Sequence, residues 1–566
     1  MKNRPTLLSI LLVLMIALPL FSSSYSPRTI NIHSPLYEEV DLLYRLHGLA
    51  LPSGARPWST NEAALILSAI PDGGSTAKLK QVALSRLETT LPKQDSNGLS
   101  HRFSTTVALE TYAHSNSDGF TLPQDWSYNA DRRLPLFDFR LEMDWNNRLY
   151  FATSVEMGPS PVSPQDNGVL IVQPAELPNG IGAIIVPGDS KSEFLKQATL
   201  FQKHFNTNLM TTKKEFQANW PKDSQLTLGG EWWNISFGRG PLGWGVGESG
   251  NLVIGSHIDS HNNLNISFFS SEFKLQFLYL FLPNPLNDEK EERTFMGSRL
   301  ENQPYPWLRF AVTENVMFKG ASIPRNYLDP TFIYHNLYNG DMLNAIASLE
   351  AQVALARGLS LHSQFVLDQF QFANEGGYEA NALGFLVGMT HSAPVREGIL
   401  TTSVEFVGTD PSLYRRDRVD FLVVRGLKNN GTPLAFDYLG YRWGSDSIVC
   451  SAEMTYLIPG KARYKASALL HRQGRVDIFG PHYYDTTSQI YDNSGNSNIA
   501  GPPLSGDAIK EQLIIALEGS WWLKKTPMRF FAELTWIGRR TYAKATKTTS
   551  GERSDLQLVT RMVFTF

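Results

Sequence analysis

The sequence predicts a mainly β protein, a membrane-spanning antiparallel β-barrel closed on itself and preceded by a small bundle of three helices. Three observations carry that expectation. First, the last strand puts Leu556, Leu558, Thr560, Met562, Phe564 and Phe566 on one face and Gln557, Val559, Arg561, Val563 and Thr565 on the other, so one face is almost wholly apolar. Second, the same alternation recurs upstream, from Phe137 onward. Third, beyond the N-terminal leader the longest apolar run is Phe277 to Leu282, far short of the ~20 residues a spanning helix needs. A chain that enters lipid without such helices must pair every backbone group by closing a barrel.

The leader itself spans 1–26. Lys2 and Arg4 precede an apolar run from Leu7 to Phe21, which gives way to Ser22, Ser23, Ser24, Tyr25 and Ser26, the pattern of a secretory signal peptide. No cysteine stands near its exit, which argues against a lipoprotein. Loss of Lys2 and Arg4 takes the formal charge from -3 to -5, a mild value that suggests no nucleic-acid partner. The single Cys450 rules out an internal disulfide framework. With export established as the expectation, the strand ending on Phe566 resembles the terminal strand of bacterial outer-membrane barrels. The resemblance implies insertion by the barrel-assembly machinery and a surround of outer-membrane lipid.

Residues 27–99 read as helices that would sit in the periplasm. Ser34 caps the first, Pro35 suits its first turn, Leu36, Val40 and Leu43 form its stripe, and Gly48 ends it. Ser59 and Glu62 form a capping box for the second, which carries Ala63, Ile66, Leu67 and Ile70 and stops at Pro71. The third follows Ser75 with Leu79, Val82, Leu87 and Leu91. Three stripes of this length bury one another only partly, so the bundle should dock on something larger.

From residue 100 to 566 the period is two. Phe137, Phe139, Leu141, Met143 and Trp145 alternate with Asp138, Arg140, Glu142 and Asp144, and Asn146-Asn147 makes a tight turn into Leu149, Phe151, Val155 and Met157. Ten such residues rise ~33 Å and, tilted by ~45°, cover the ~25 Å apolar band of an outer membrane. Strands around Val404, Phe530 and, less regularly, Ser447 to Tyr456 repeat the pattern. Ser115 to Pro135, the Pro/Gly-rich insertion from Gly158, Asn284 to Pro306 and Gln473 to Gly506 read as loops at the outer end.

Between Glu231 and Gly255 runs EWWNISFGRGPLGWGVGESGNLVIG, a short strand followed by a Gly-rich path suited to a segment folded into the lumen or over its rim. Trp232 and Trp233 before Ile235 to Arg239, then Trp244-Gly245, then Ile254-Gly255, resemble the capsule-assembly Wzi family of outer-membrane proteins. Glu314 to Gly320 is a weaker match, and Val246 stands where that family usually has Pro. The resemblance implies a barrel of about 18 strands, plugged by the helical bundle and inner loops. It implies a lectin that binds surface or capsular polysaccharide and aids capsule or exopolysaccharide assembly or attachment. Trp232, Trp233, Arg239 and Trp244 are the candidate polysaccharide-binding or lumen-loop residues. For the tryptophans, sugar stacking and anchoring or packing of the barrel are evenly matched readings.

Other chemistry is weaker. Asp138, Glu142 and Asp144 could pair for glycoside hydrolysis, yet alternating charge is what any lumen face displays. His257, Asp259 and His261 lack a well-spaced further ligand for a metal, and no Gly-x-Ser-x-Gly elbow supports a lipase. Tyr483, Tyr484 and Tyr491 are either a sugar platform or a packed loop. The expectation is therefore no catalytic residue, no metal and no cofactor. A porin or substrate-specific channel is the alternative, and an outer-membrane hydrolase the least favoured reading.

Overall fold

A computed structural model describes residues 25–566 apart from 89–97, 117–119, 121–126, 129–131, most of 160–205, 213–215, 283–292, 320–342, 370–380, 416–418, 427–433, 477–500 and 524–525. The proposed leader thus lies almost wholly outside the described residues, and the tyrosines at 483, 484 and 491 lie outside them entirely.

Three helices come first: α1 Pro35–His47, α2 Thr60–Ser68 and α3 Ala77–Glu88. The predicted caps form. Ser34 Oγ accepts from the Leu36 amide, Gly48 closes α1 at φ 70, and Ser59 Oγ accepts from the Glu62 amide. The capping box is only half made, because the Glu62 carboxylate turns away to Lys274 Nζ at 2.7 Å. The helices share one apolar core with Val246, Ile399 and Leu457 from an inner loop and the barrel, which is the larger support their stripes required.

Eighteen antiparallel strands close the barrel, taking two pieces that pair with the same neighbour as one interrupted strand. They are β1 Leu99–His114, β2 Phe137–Trp145, β3 Leu149–Pro159, β4 (Phe216–Asn219 with Ser224–Gly229), β5 Trp233–Gly240, β6 His261–Phe269, β7 Phe273–Leu282, β8 Arg293–Tyr305 and β9 Leu308–Lys319. The circuit continues through β10 Leu343–Ala356, β11 Leu359–Gln369, β12 Ala382–Val395, β13 Gly398–Thr409, β14 Ser447–Ile458, β15 Ala462–Gln473, β16 Ala508–Trp522, β17 Met528–Ala543 and β18 Thr548–Thr565. β18 closes on β1 from Thr106↔Thr565 to His114↔Gln557. Leu556 and Leu558 face out, while Gln557 and Val559 face in.

One end of the barrel carries only short turns. At Asn146-Asn147 both residues take positive φ, 54 and 56, as the tight turn demands. The other end carries longer connections, apart from 544–547. One expected loop is corrected here: 284–306 is not all loop, because Arg293–Tyr305 is β8 and Pro306 belongs to a short turn at the opposite end. Arg293, Arg299 and Glu301 of this segment are lumen residues with partners inside. The run Phe277 to Leu282 is apolar on both faces for a related reason. Phe277 and Phe281 sit on the outer wall, while Leu278, Leu280 and Leu282 join a dry core inside.

That inner core is a plug. The β5–β6 and β13–β14 connections fold into the lumen, bringing Trp244, Leu252, Ile254, Leu413, Tyr414, Leu439 and Tyr441 against Phe295, Met317, Ile346 and Val366 of the wall. Residues Ala55–Arg56, between α1 and α2, pair with Gly243–Trp244 and stitch the bundle to the plug. The bundle meets the barrel at the short-turn end, where the Ala50 amide donates to Pro306 O at 2.8 Å and the Gly358 amide to Arg45 O at 2.7 Å.

Candidate functional site

The lumen is divided. Around β6 to β14 it is filled by the apolar plug and, on the side of the bundle, by buried ion pairs among Lys274, Glu62, Arg299, Glu301 and Glu350, whereas β15 to β18 and β1 to β4 turn charged side chains inward without a comparable plug among the described residues. Where the two halves meet, a chamber of about 290 Å³ remains. The plug contributes Glu248, Ser249, Arg442 and Trp443; the wall contributes Glu453, Lys465, Glu518 and Glu533; and Arg132 reaches in from the β1–β2 connection. Leu469 and Ile514 add an apolar strip.

The plug side is held rigidly. Glu405 accepts from the amides of Glu248 and Ser249, both at 2.9 Å, and from the Ser249 hydroxyl, while His362 Nε2 lies 2.9 Å from its other oxygen. The acid therefore stands between Ser249 and His362. A hydrolytic relay needs the imidazole in the middle, so this group is built to fix a loop rather than to activate a hydroxyl. Burial, with Glu453 and Glu405 nearby, pushes the Glu248 carboxyl up, against the pull of Arg45 at 3.5 Å. Trp443 lies over His471, ring centroids 4.3 Å apart, with the Arg442 guanidinium 5.5 Å from its own ring. Its indole Nε1–H has no acceptor among the described residues although the side chain is buried.

On the wall side the charges are matched. Arg132 grips Glu533 with both terminal nitrogens, at 3.2 and 2.5 Å, and Lys465 pairs with Glu453. Arg463 donates to Glu518 at 2.7 Å and to Glu38 of α1 at 2.9 and 3.1 Å, tying the chamber wall to the bundle. The chamber thus offers alternating donors and acceptors beside one indole, chemistry suited to a polyhydroxylated ligand and unsuited to a greasy one.

The four residues singled out from sequence are not brought together. Trp232 is exposed at a short turn, stacked on Phe268 at 6.0 Å and edge-on to Trp233 at 6.3 Å. Both lie on the outer wall, the place of an interfacial aromatic anchor. Arg239 also faces outward, toward the far end of β5, donating to Asn262 Oδ1 at 3.1 Å. Only Trp244 enters the lumen, where it packs edge-on to Phe295 at 6.4 Å and leaves no ring face open. Of the lumen carboxylates, Glu142 is held by Arg102 and by the Tyr150 hydroxyl at 2.6 Å, and Asp144 accepts from Ser26 and the Asn147 amide. Asp259 pairs with Lys222 at 2.6 Å, and no cluster of three metal-ligating side chains occurs among the described residues.

Sequence reasoning missed Arg442, Trp443 and the wall charges. A signal existed: Trp443-Gly444 repeats the Trp244-Gly245 pair, and both glycines take positive φ, 76 and 126. A Cβ at Gly444 would meet the Tyr438 ring at 2.1 Å, and one at Gly245 would meet Gln364 at 2.1 Å.

These features define a closed β-barrel of the outer-membrane type with a filled lumen. In fold the chain is similar to Wzi of Escherichia coli, described as an outer-membrane protein involved in group 1 capsule assembly and a carbohydrate-binding β-barrel. The TM-score is 0.53 at 12% identity, covering 95% of this chain and 99% of that one. OprD of Pseudomonas aeruginosa gives a TM-score of 0.37 at 9% identity, covering 82% of this chain and 95% of its own. OmpT of Vibrio cholerae gives 0.35 at 8%, covering 84% and 100%. No protein-family model matches the chain, and no curated protein matches it in sequence.

Proposed function

We propose that the protein is an outer-membrane lectin: a plugged barrel that binds a surface polysaccharide and helps to attach or assemble a capsule or exopolysaccharide. Its bundle lies on the periplasmic side, and its terminal strand serves recognition by the barrel-assembly machinery. The observation that carries this reading is the end-to-end likeness to a barrel described as carbohydrate binding. The chamber under Trp443 supports it with matching chemistry, an indole beside paired acids and bases. The ligand on this reading is bound and not cleaved; of the carboxylates Asp138, Glu142 and Asp144, the last two are engaged by neighbouring donors, which supports a structural role for them.

The test is a glycan array probed with the folded protein, joined to a deletion strain. Binding to a defined set of glycans is expected, with mutant cells that still make the polysaccharide but shed it. Unchanged retention of every surface glycan in the deletion strain would defeat the proposal.

A further inference from the structure

On the outer face of the barrel, opposite the chamber wall, three charged residues lie side by side on adjacent strands. Arg472 of β15 is the register partner of Glu511 of β16, which is the partner of Arg540 of β17. Arg472 Nε donates to one Glu511 oxygen at 2.8 Å, and Arg540 Nε donates to the other at 2.7 Å. Two guanidinium groups thus share one carboxylate. Their terminal nitrogens have no partner among the described residues, and the Arg540 side chain is 51% exposed. The Tyr542 ring, 5.9 Å from Arg472, flanks the group.

Its level on the wall gives it meaning. The next outward-facing layer toward the short-turn end is Leu470, Leu513 and Gly538, the last covered by the Trp536 ring. Below come Ile515 and Leu517, and Trp521 closes the band, bonded to the Tyr464 hydroxyl at 3.0 Å. From Trp521 to Leu513 the strand advances eight residues, ~27 Å, or about 20 Å along the membrane normal at the usual tilt of ~40°. The charged trio is therefore the first layer beyond the apolar band, at the depth of lipid headgroups. A bare carboxylate there would repel anionic lipid, but a second arginine leaves a net positive charge.

We propose that Arg472 and Arg540, held together by Glu511, bind the phosphate group of an outer-leaflet lipid headgroup. This rests on the barrel spanning the outer membrane as proposed above. Guanidinium forks match phosphate oxygens in geometry as well as charge, and a site on the lipid face at headgroup depth meets a lipid phosphate before any polymer in the barrel mouth.

Native mass spectrometry of the full chain in detergent tests it, using lipid A that carries both phosphates and the same lipid after enzymatic dephosphorylation. Wild-type protein should retain the phosphorylated form about ten-fold better, the loss expected for one charge-assisted hydrogen bond. Arg472→Ala with Arg540→Ala should bring the ratio close to one. Arg472→Lys with Arg540→Lys, which keeps the charge but not the fork, should fall between. Equal retention of the two lipids by the wild type would overturn the site, as would inorganic phosphate or an acidic polysaccharide binding as tightly as the lipid. Should the alanine pair misfold, the lysine pair decides, because a wild-type ratio there would overturn the bidentate assignment. Insertion into vesicles is read on the same samples. A chain that fails to insert overturns the membrane reading, whereas an inserted chain indifferent to phosphate overturns this site alone.

Discussion

The plug core and the chamber beside it are built on opposite principles. Toward the end with the longer connections, β7 to β11 turn Leu280, Phe295, Met317, Ile346 and Val366 inward, and two connections fold back to cover them, giving a dry core beside the ion-paired layer of Lys274, Arg299, Glu301 and Glu350. Around β15 to β17 the inward residues Lys465, Glu518 and Glu533 are matched in pairs with Glu453, Arg463 and Arg132 and left around a chamber, and Arg140 with Glu142 continues the charged lining on β2. The difference separates two tasks. Apolar burial is non-directional and closes a space, whereas paired charges hold a shape open and present hydrogen-bonding groups within it.

The sharpest way to break the comparison is to empty the dry half. Trp244→Ala removes the indole wedged between the plug and Phe295 and should cost the plug about 3–5 kcal/mol. The strands do not depend on that side chain for pairing, so the barrel should keep its heat-modifiable migration. In planar bilayers the wild type should stay closed and the variant should conduct. A steady open pore in the wild type would remove the functional distinction between the halves.

Next in size is the anchor between bundle and wall. Lys274 and Glu62 are both buried, and the same Nζ also donates to Ala55 O at 2.8 Å. Lys274→Met should destabilise the bundle by about 3 kcal/mol, because it strands the Glu62 carboxylate in a dry site. Adding Glu62→Met should recover most of that loss. Circular dichroism of the helical transition reads both. A double variant as unstable as the single would mean that the bundle depends on something other than this charge.

The wet half is sharpened by Trp443→Ala. If the chamber binds glycan, affinity should fall by up to about ten-fold, since one aromatic contact is worth ~0.5–1.5 kcal/mol, while barrel migration stays unchanged. Trp443 also packs in the plug core, so bilayer conductance is read on the same sample to separate lost contact from a loosened plug. Trp232→Ala and Trp233→Ala should leave glycan affinity unaltered and weaken only anchoring at the membrane edge. The reverse pattern would move the binding site to the outer wall.

These contrasts also mark where sequence was legible. The period of two in Phe137 to Trp145, the paired asparagines and the terminal Phe566 are local features, each with one structural consequence, and they led to strand, turn and seam. The helix caps at Ser34 and Ser59 were legible for the same reason. What could not be read was which charges meet. Arg463 joins Glu38 across 425 positions, and Arg132 joins Glu533 across 401, so the chamber exists only once the barrel has closed. The Trp/Gly stretch enters the lumen at Trp244, but the alternation of β5 sends Trp233 and Arg239 outward, and the turn before it leaves Trp232 on the outer wall.

The smallest expected effect lies on the border between the halves, at Asp410, where the plug connection leaves β13. Its carboxylate accepts from the Leu383 amide at 3.0 Å, yet burial, with Asp446 nearby, raises its pKa to about 6. Because the folded state binds this proton more tightly than the unfolded chain does, the connection should lose stability as pH rises from about 4 to about 6 and stay at its lower level above that. Limited proteolysis of the plug connection, corrected for protease activity, should therefore run faster at pH 7.5 than at pH 5. Asp410→Asn keeps an acceptor for the Leu383 amide and removes the titration, so it should bring the two rates together. Equal rates in the wild type would show that the plug connection does not feel this group, and that its hold on the lumen comes from the apolar core alone.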